Sequence, residues 1–286
     1  MYLPQGFMTR GSYCLRLIGN RVKGATSAWI PTDISGVIAW WKADALAYSD
    51  GDSVAWTDSG PAGVYDVVEP TSYSLVAPTY QDDAGDLIGT KPVVRFDDSA
   101  AGDEQMLYDS VNCIAAGGQY NGSAFAVVKL NSSTATYTTI LACNEADHAD
   151  SNFIVLGTYN TGGANYVWLR SSSDAGYEQE HRGSTELVDD TAYILGWDSD
   201  DTIYRMRVSG AAQTLTKLGA DDNAGLWFGD ILNMDCTSIG GLILLNPTYF
   251  LNGDLAEIIL YDHKLDSADV DKVESYLATK YGITLS

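Results

Sequence analysis

The sequence predicts an all-β protein: a two-sheet antiparallel jelly-roll sandwich with one C-terminal α-helix and an extended N-terminal arm. Three observations carry this reading. The 286 residues include 18 tyrosines and 28 glycines while helical periodicity is scarce, the composition of short strands joined by tight turns. Residues 192–208 alternate as a hairpin does. Residues 253–286 run from an apolar strand through a turn into a capped amphipathic helix.

Residues 1–32 form the arm. They hold Arg10, Arg16, Arg21 and Lys23 and no acidic residue. Leu15, Leu17, Ile18 and Trp29 are too few to build a core, so the arm must dock on something or stay unfolded. A larger particle or a neighbouring copy would serve, and so would an edge-strand position on its own domain. Residues 33–286 are read as one domain, a length within the range of single sandwiches.

Within that domain, residues 125–130 are apolar on both faces, as an interior strand of stacked sheets should be. Residues 192–197 (AYILGW) form a strand, residues 198–201 an acidic turn, and residues 202–208 (TIYRMRV) the return strand. There Tyr204, Met206 and Val208 face one way and Ile203, Arg205 and Arg207 the other, the period-two signature of a half-buried strand. Gly210 ends it.

Ile258, Ile259, Leu260 and Tyr261 form the core of the last strand. The following helix starts at Asp266 or Ser267, whose short oxygen-bearing side chain can accept from an unpaired N–H of the first turn. Val270, Val273, Leu277 and Tyr281 recur at spacings of three and four and share one face. Gly282 supplies a residue that tolerates a left-handed C-terminal turn. A lone helix with such a stripe must bury it against a sheet, at roughly 1.5–3 kcal/mol per side chain.

The closing segment resembles the end of bacterial and phage laminin G-like (concanavalin A-like) jelly-roll modules, whose last strand reads GxxAExxxYDxxL and whose helix ends YLxxKYG. Here those positions are Gly253, Ala256, Glu257, Tyr261, Asp262, Leu265, Tyr276, Leu277, Lys280, Tyr281 and Gly282. GVIAWWKAD (36–44), DGDSVAWTD (50–58), KPVVRFD (91–97) and FAVVK (125–129) are similar to upstream pieces in the same order. Tyr204 to Gly210 resembles the family's central YxVxG feature, with Met206 and Ser209 departing from it. The resemblance implies a fold; function must come from a site.

The formal charge is −22, with the arm at +4 and the rest at −26, from 12 basic against 38 acidic residues. A body this acidic repels phosphate backbones, which argues against nucleic acid. No stretch is long enough to span a bilayer. The basic residues interrupt every apolar run of the arm, so it does not read as an export signal. Cys14, Cys113, Cys143 and Cys236 contain no Cys-x-x-Cys pair, which predicts scattered packed thiols rather than a metal site or a disulfide scaffold.

Glycan hydrolysis needs two carboxylates flanking the scissile bond. Glucanases of this fold carry them as Glu-x-Asp-x-Glu, a string absent here. The nearest string is Glu178-Gln179-Glu180, whose polar, glycine-containing flanks suggest an exposed loop or edge. Calcium, which many laminin G-like domains hold, wants clustered oxygens. Asp198, Asp200 and Asp201 are the candidate set, with Asp221, Asp222 and Asn223 second and Asp147-His148-Ala149-Asp150 third. A plain hairpin turn explains the first set more simply, since Asp favours turns by bonding its own backbone. His148, His181 and His263 lack the context of a nucleophilic triad. Gly117-Gly118 and Gly162-Gly163 lack the Lys-Ser/Thr pair or helix start that a phosphate loop needs after its glycines. Sugar binding without catalysis needs an aromatic platform beside polar groups, for which Tyr159, Tyr166, Trp168, Tyr177 and Trp227 are candidates.

The expectation is therefore a non-enzymatic phage virion protein, a head decoration or a tail or fibre component. It would be a homo-oligomer assembled in the host cytoplasm. Residues 1–32 would anchor it to capsid or tail proteins, and the jelly roll would bind a cell-surface glycan weakly if at all. The alternative is a carbohydrate-binding adhesin or lectin module, and a depolymerase ranks third. No cofactor is expected; calcium is the one candidate.

Overall fold

The computed structural model describes residues 29–71, 73, 75–98, 104–113, 120–131, 135–146, 152–174 and 176–286. In chain order the strands begin with β1 (Val37–Lys42), β2 (Thr79–Gln81), β3 (Val93–Phe96), β4 (Leu107–Asp109) and β5 (Gly122–Leu130). Next come β6 (Tyr137–Asn144), β7 (Phe153–Thr161), β8 (Ala164–Ser172), β9 (Glu178–Leu187) and β10 (Ala192–Ser199). The chain then adds β11 (Tyr204–Val208), β12 (Ala211–Ala212), β13 (Thr216–Lys217), β14 (Cys236–Ile239), β15 (Gly253–Tyr261) and the helix α1 (Ser267–Tyr281).

These strands make two antiparallel sheets. The first runs β12-β11-β10-β5-β15-β3-β2, with β1 also paired to β15, and the second runs β13-β9-β8-β7-β6-β14-β4. The predicted sandwich is present. Its main core lies between the sheets, where alternate residues of facing strands meet: Ala124, Ala126 and Val128 of β5, Ile154 and Leu156 of β7, and Val167 and Leu169 of β8.

The strand predicted over residues 125–130 is interior, between β10 and β15. Its other face, Phe125 and Val127, packs under α1 with Val270, Val273, Leu277 and Tyr281. Both sides of the first sheet are thus covered, which is why β5 and β15 carry so few polar residues. The helix cap is Asp266, whose side chain accepts from Asp269 N–H at 2.8 Å. Gly282 closes the helix at φ +68.

Two buried carboxylates fasten the helix. Glu257 on β15 accepts from Trp40 Nε1 at 2.5 Å, Lys280 Nζ at 2.8 Å and Tyr281 O–H at 2.8 Å. Glu274 accepts from Arg207 Nε at 3.0 Å and Nη2 at 2.8 Å. Glu257, Lys280 and Tyr281 belong to the segment that carries the family resemblance, and their shared work is to pin α1 to β15.

The hairpin's turn sits two residues later than the sequence reading placed it, because β10 extends to Ser199 and pairs it with Tyr204. Asp200 Oδ1 accepts from the N–H groups of Thr202 and Ile203, and Asp201 takes φ +67, so residues 200–203 make the reversal. Tyr204, Met206 and Val208 are buried as the alternation predicts.

Residues 29–34, whose first four the sequence reading assigns to the arm, pack on the chain's own body. Trp29 meets the Tyr276 ring edge-on at 6.0 Å. Pro31 is buried, and its carbonyl accepts from Tyr261 O–H at 3.2 Å. Arg10, Arg16, Arg21 and Lys23 lie outside the described residues, as does Cys14. No described helix is long and apolar enough to cross a membrane.

Candidate functional site

Strand alternation sends Val167 and Leu169 of β8 into the core, so Tyr166, Trp168 and Arg170 stand on the outer face of the second sheet. Across the ladder, Trp168 lies opposite Gly157 of β7 and Arg182 of β9, and Arg170 lies opposite Val155 and Glu180. Tyr137 of β6 lies opposite Tyr159 of β7. The register of β6 on β7 shifts between Thr139 and Leu141. Gly157 faces that irregularity, where a Cβ would overlap the Thr138 carbonyl oxygen, so only glycine lets the strands approach there.

A segment that crosses this face from elsewhere completes the cluster. Leu242 and Thr248 bridge one another, and Leu242, Leu244 and Tyr249 pack on Ala142, Phe153, Val155 and Trp168. Tyr249 sits at φ +57, an uncommon conformation for an aromatic residue, and its carbonyl accepts from Thr139 N–H at 2.8 Å. Tyr137 is central. Its ring lies 5.4 Å from Tyr159, 5.0 Å from Trp168 and 5.0 Å from Tyr249, tilted by 38°, 36° and 46°. Trp168 is fully buried beneath, while Tyr137, Tyr159 and Tyr249 remain half-buried.

Polar groups border the rings. Arg170 donates to Tyr249 Oη at 2.7 Å through Nη1 and to Glu178 Oε1 at 2.8 Å through Nη2. Trp168 Nε1 donates to Glu180 Oε1 at 3.0 Å. Burial works against the Arg170 charge, yet Tyr249, Glu178 and Glu180 hold its pKa above the ordinary value. Burial also raises the Tyr137 and Tyr249 phenols above their ordinary pKa. Arg182 lies over the Tyr166 ring at 4.2 Å. The face therefore offers clustered rings, phenolic hydroxyls and a paired guanidinium within one patch, the combination that holds a sugar by ring stacking and hydroxyl hydrogen bonds.

The sequence candidates scatter. Tyr159, Tyr166 and Trp168 share the patch. Tyr177 lies outside it, exposed between β8 and β9, and Trp227 is buried in the main core. The sequence reading did not include Tyr137, Tyr249 and Arg170. A Tyr-x-x-Ile run on β6 and a tyrosine after Asn246-Pro247-Thr248 give no local signal that they meet.

Glu178 and Glu180 lie on a strand rather than in a loop, and Glu180 is only 6% exposed. They share one face at the two-residue repeat of about 6.5–7 Å, the low end of the inverting separation. Each is committed to a neighbour, Glu178 to Arg170 and Glu180 to Trp168.

At the calcium candidates, Arg205 already supplies the positive charge. It reaches Asp198 at 3.1 Å and Asp200 at 2.5 Å, and Asp201 stands exposed beside them. Burial raises the Asp198 carboxyl against the pull of Arg205, whereas Thr202 and Arg205 hold Asp200 well below the usual range. Here the guanidinium stands beside Asp198 and Asp200, where a cation would compete with it. The second set is divided among three tasks: Asp221 accepts from Glu178 N–H, Asp222 pairs with Lys217, and Asn223 accepts from Tyr204 N–H. Asp147, His148 and Asp150 lie outside the described residues. Asp50, Asp82 and Asp83, distant in sequence, bring exposed carboxylate oxygens within 4.8 Å of one another. His181 is buried facing the core, and His263 pairs with Asp262 at 2.7 Å.

No family model matches the chain, and no curated protein does. Among solved structures it is similar to domain 4 of AbnA, a GH43 extracellular arabinanase from Geobacillus stearothermophilus, solved in complex with arabinotriose. The TM-score is 0.52 at 15% identity, over 84% of this chain and 98% of that one. The Ruminococcus gnavus IT-sialidase CBM40 bound to α2,3-sialyllactose gives 0.44 at 14% identity, over 56% of this chain and 83% of that one. A leech intramolecular trans-sialidase gives 0.47 at 12% identity, over 88% and 28%. The arabinanase domain supports the sandwich fold, and at such identities the likeness concerns fold alone.

Proposed function

We propose that this chain is a non-catalytic glycan-binding module whose platform is Tyr137, Tyr159 and Tyr249 above Trp168. The observation that carries the reading is the convergence of those rings with Arg170 on one outer sheet face. The arabinanase domain of the same fold, solved with arabinotriose, supports it. The ligand is a neutral oligosaccharide: Glu178 already neutralises Arg170, and the chain's charge of −22 repels acidic polymers.

Titration against neutral and uronic-acid oligosaccharides tests this. Tyr137→Ala is expected to weaken the bound neutral glycan at least tenfold, about 1.4 kcal/mol, with the fold intact. Unchanged affinity would refute the platform. The module is read as non-catalytic because both Glu178 and Glu180 are committed to neighbours. New reducing ends that vanish in Glu178→Gln or Glu180→Gln would reverse that reading.

The charge split, +4 in residues 1–32 against −26 elsewhere, favours a second reading in which the arm tethers the module to a larger assembly such as a phage particle. The comparisons lend the virion role no support. Removing residues 1–28 should abolish incorporation into such a particle and leave glycan binding intact.

A further inference from the structure

We propose that Cys113 and Cys143 are a cross-linking site, joined under oxidising conditions by a disulfide that staples the chain after β4 to β6. Their Sγ atoms lie 3.8 Å apart, and the residues are 1% and 0% exposed. Both sit in the core between the sheets, Cys143 on β6 and Cys113 just beyond β4. Thr237 of β14 fixes the pair. Its Oγ1 accepts from Cys113 N–H at 2.8 Å, lies 3.5 Å from Cys143 Sγ, and donates to the Val111 carbonyl at 3.2 Å. The backbone on each side is therefore anchored, and side-chain torsion must close the gap to the disulfide length of about 2.05 Å. Cys236 does not compete. Its Sγ donates to the Asn144 carbonyl at 3.5 Å, and it packs with Met106 and Ile243 in a separate cluster.

The oxidant is a small-molecule disulfide such as oxidised glutathione. One cysteine thiolate attacks it and displaces a glutathione thiolate. The second cysteine then attacks the mixed disulfide and displaces the other. Two protein S–H bonds are lost and one S–S bond forms; two electrons reduce the oxidant, and two glutathione thiols carry away the two protons. Both residues are closed off from solvent, and burial raises the Cys143 thiol, so the pair reacts during folding or local opening.

The test is to refold the full chain in a glutathione redox buffer, count thiols and map peptides without reduction. Two of the four cysteines should lose their thiols, with one bridged peptide pair containing Cys113 and Cys143. The near-UV circular dichroism should be unchanged, and the urea midpoint should rise and fall back on reduction. In Cys113→Ala, Cys143 should form no protein disulfide, and any glutathione it takes up should remain unresolved. In the parent chain, four intact thiols, a bridge to Cys14 or Cys236, glutathione held on Cys143 alone, or loss of the native spectrum on oxidation would each overturn the proposal.

Discussion

Glu257 shows how one residue can decide the closure of the fold. Its carboxylate is fully buried and takes three donors, from Trp40, Lys280 and Tyr281, while Lys280 also reaches Asp44 at 2.9 Å. Removing the carboxylate leaves Lys280 with Asp44 alone and strands the Trp40 and Tyr281 donors in the interior, at about 1–3 kcal/mol for each unsatisfied group. Glu257→Ala is expected to lose that much in urea unfolding, and Glu257→Ala combined with Lys280→Met should recover part of it. A loss below about 1 kcal/mol would mean the pair is not desolvated as described. His181 supplies a pH dependence. Burial depresses its pKa, with Lys217 adding to the effect. The unfolded chain therefore binds a proton that the native state refuses, and stability is full above about pH 6.5 and declines as pH falls toward the native pKa. His181→Gln should flatten the urea midpoint between about pH 6.5 and 5; a slope identical to that of the parent would contradict the assignment.

Elements differ in how far the sequence determines them. The helix was legible because its signals are local: a capping aspartate, four apolar residues at helical spacing, and a glycine that can turn left-handed. Asp266→Ala should cost about 1 kcal/mol, measurable as a lower thermal midpoint, and no loss would move the cap to Ser267. The hairpin was legible in its alternation, yet its turn lay two residues further on, since pairing of Ser199 with Tyr204 outweighs the turn preference of Asp198. The platform was only half legible. Tyr159, Tyr166 and Trp168 stand on one hairpin, whose two-residue turn is Gly162-Gly163. Tyr137 and Tyr249 join them through a register shift and a distant crossing segment, neither of which has a local signature. Glu180 looked exposed because its neighbours are polar, but β8 and Trp168 bury it, while the Glu178 side chain remains 41% exposed.

At the scale of the whole molecule, the two sheets share one core and differ in what covers their outer faces. The helix seals the first face with an apolar stripe and two buried carboxylates. The second face is covered only in part, by Leu242, Leu244 and Tyr249, and leaves half-buried tyrosines where the cover ends. The proposed platform lies where that cover ends. The asymmetry predicts that changes at the helix alter stability without altering ligand affinity: Glu257→Ala should bind a neutral glycan as the parent does whenever it is folded. The most direct test is a titration of the tyrosine-labelled chain, monitored by NMR, with a neutral oligosaccharide that it binds. Shifts concentrated at Tyr137, Tyr159 and Tyr249 are the predicted result. Shifts confined to Tyr276 beside the helix or to Tyr48 and Tyr80 across the first sheet would contradict it.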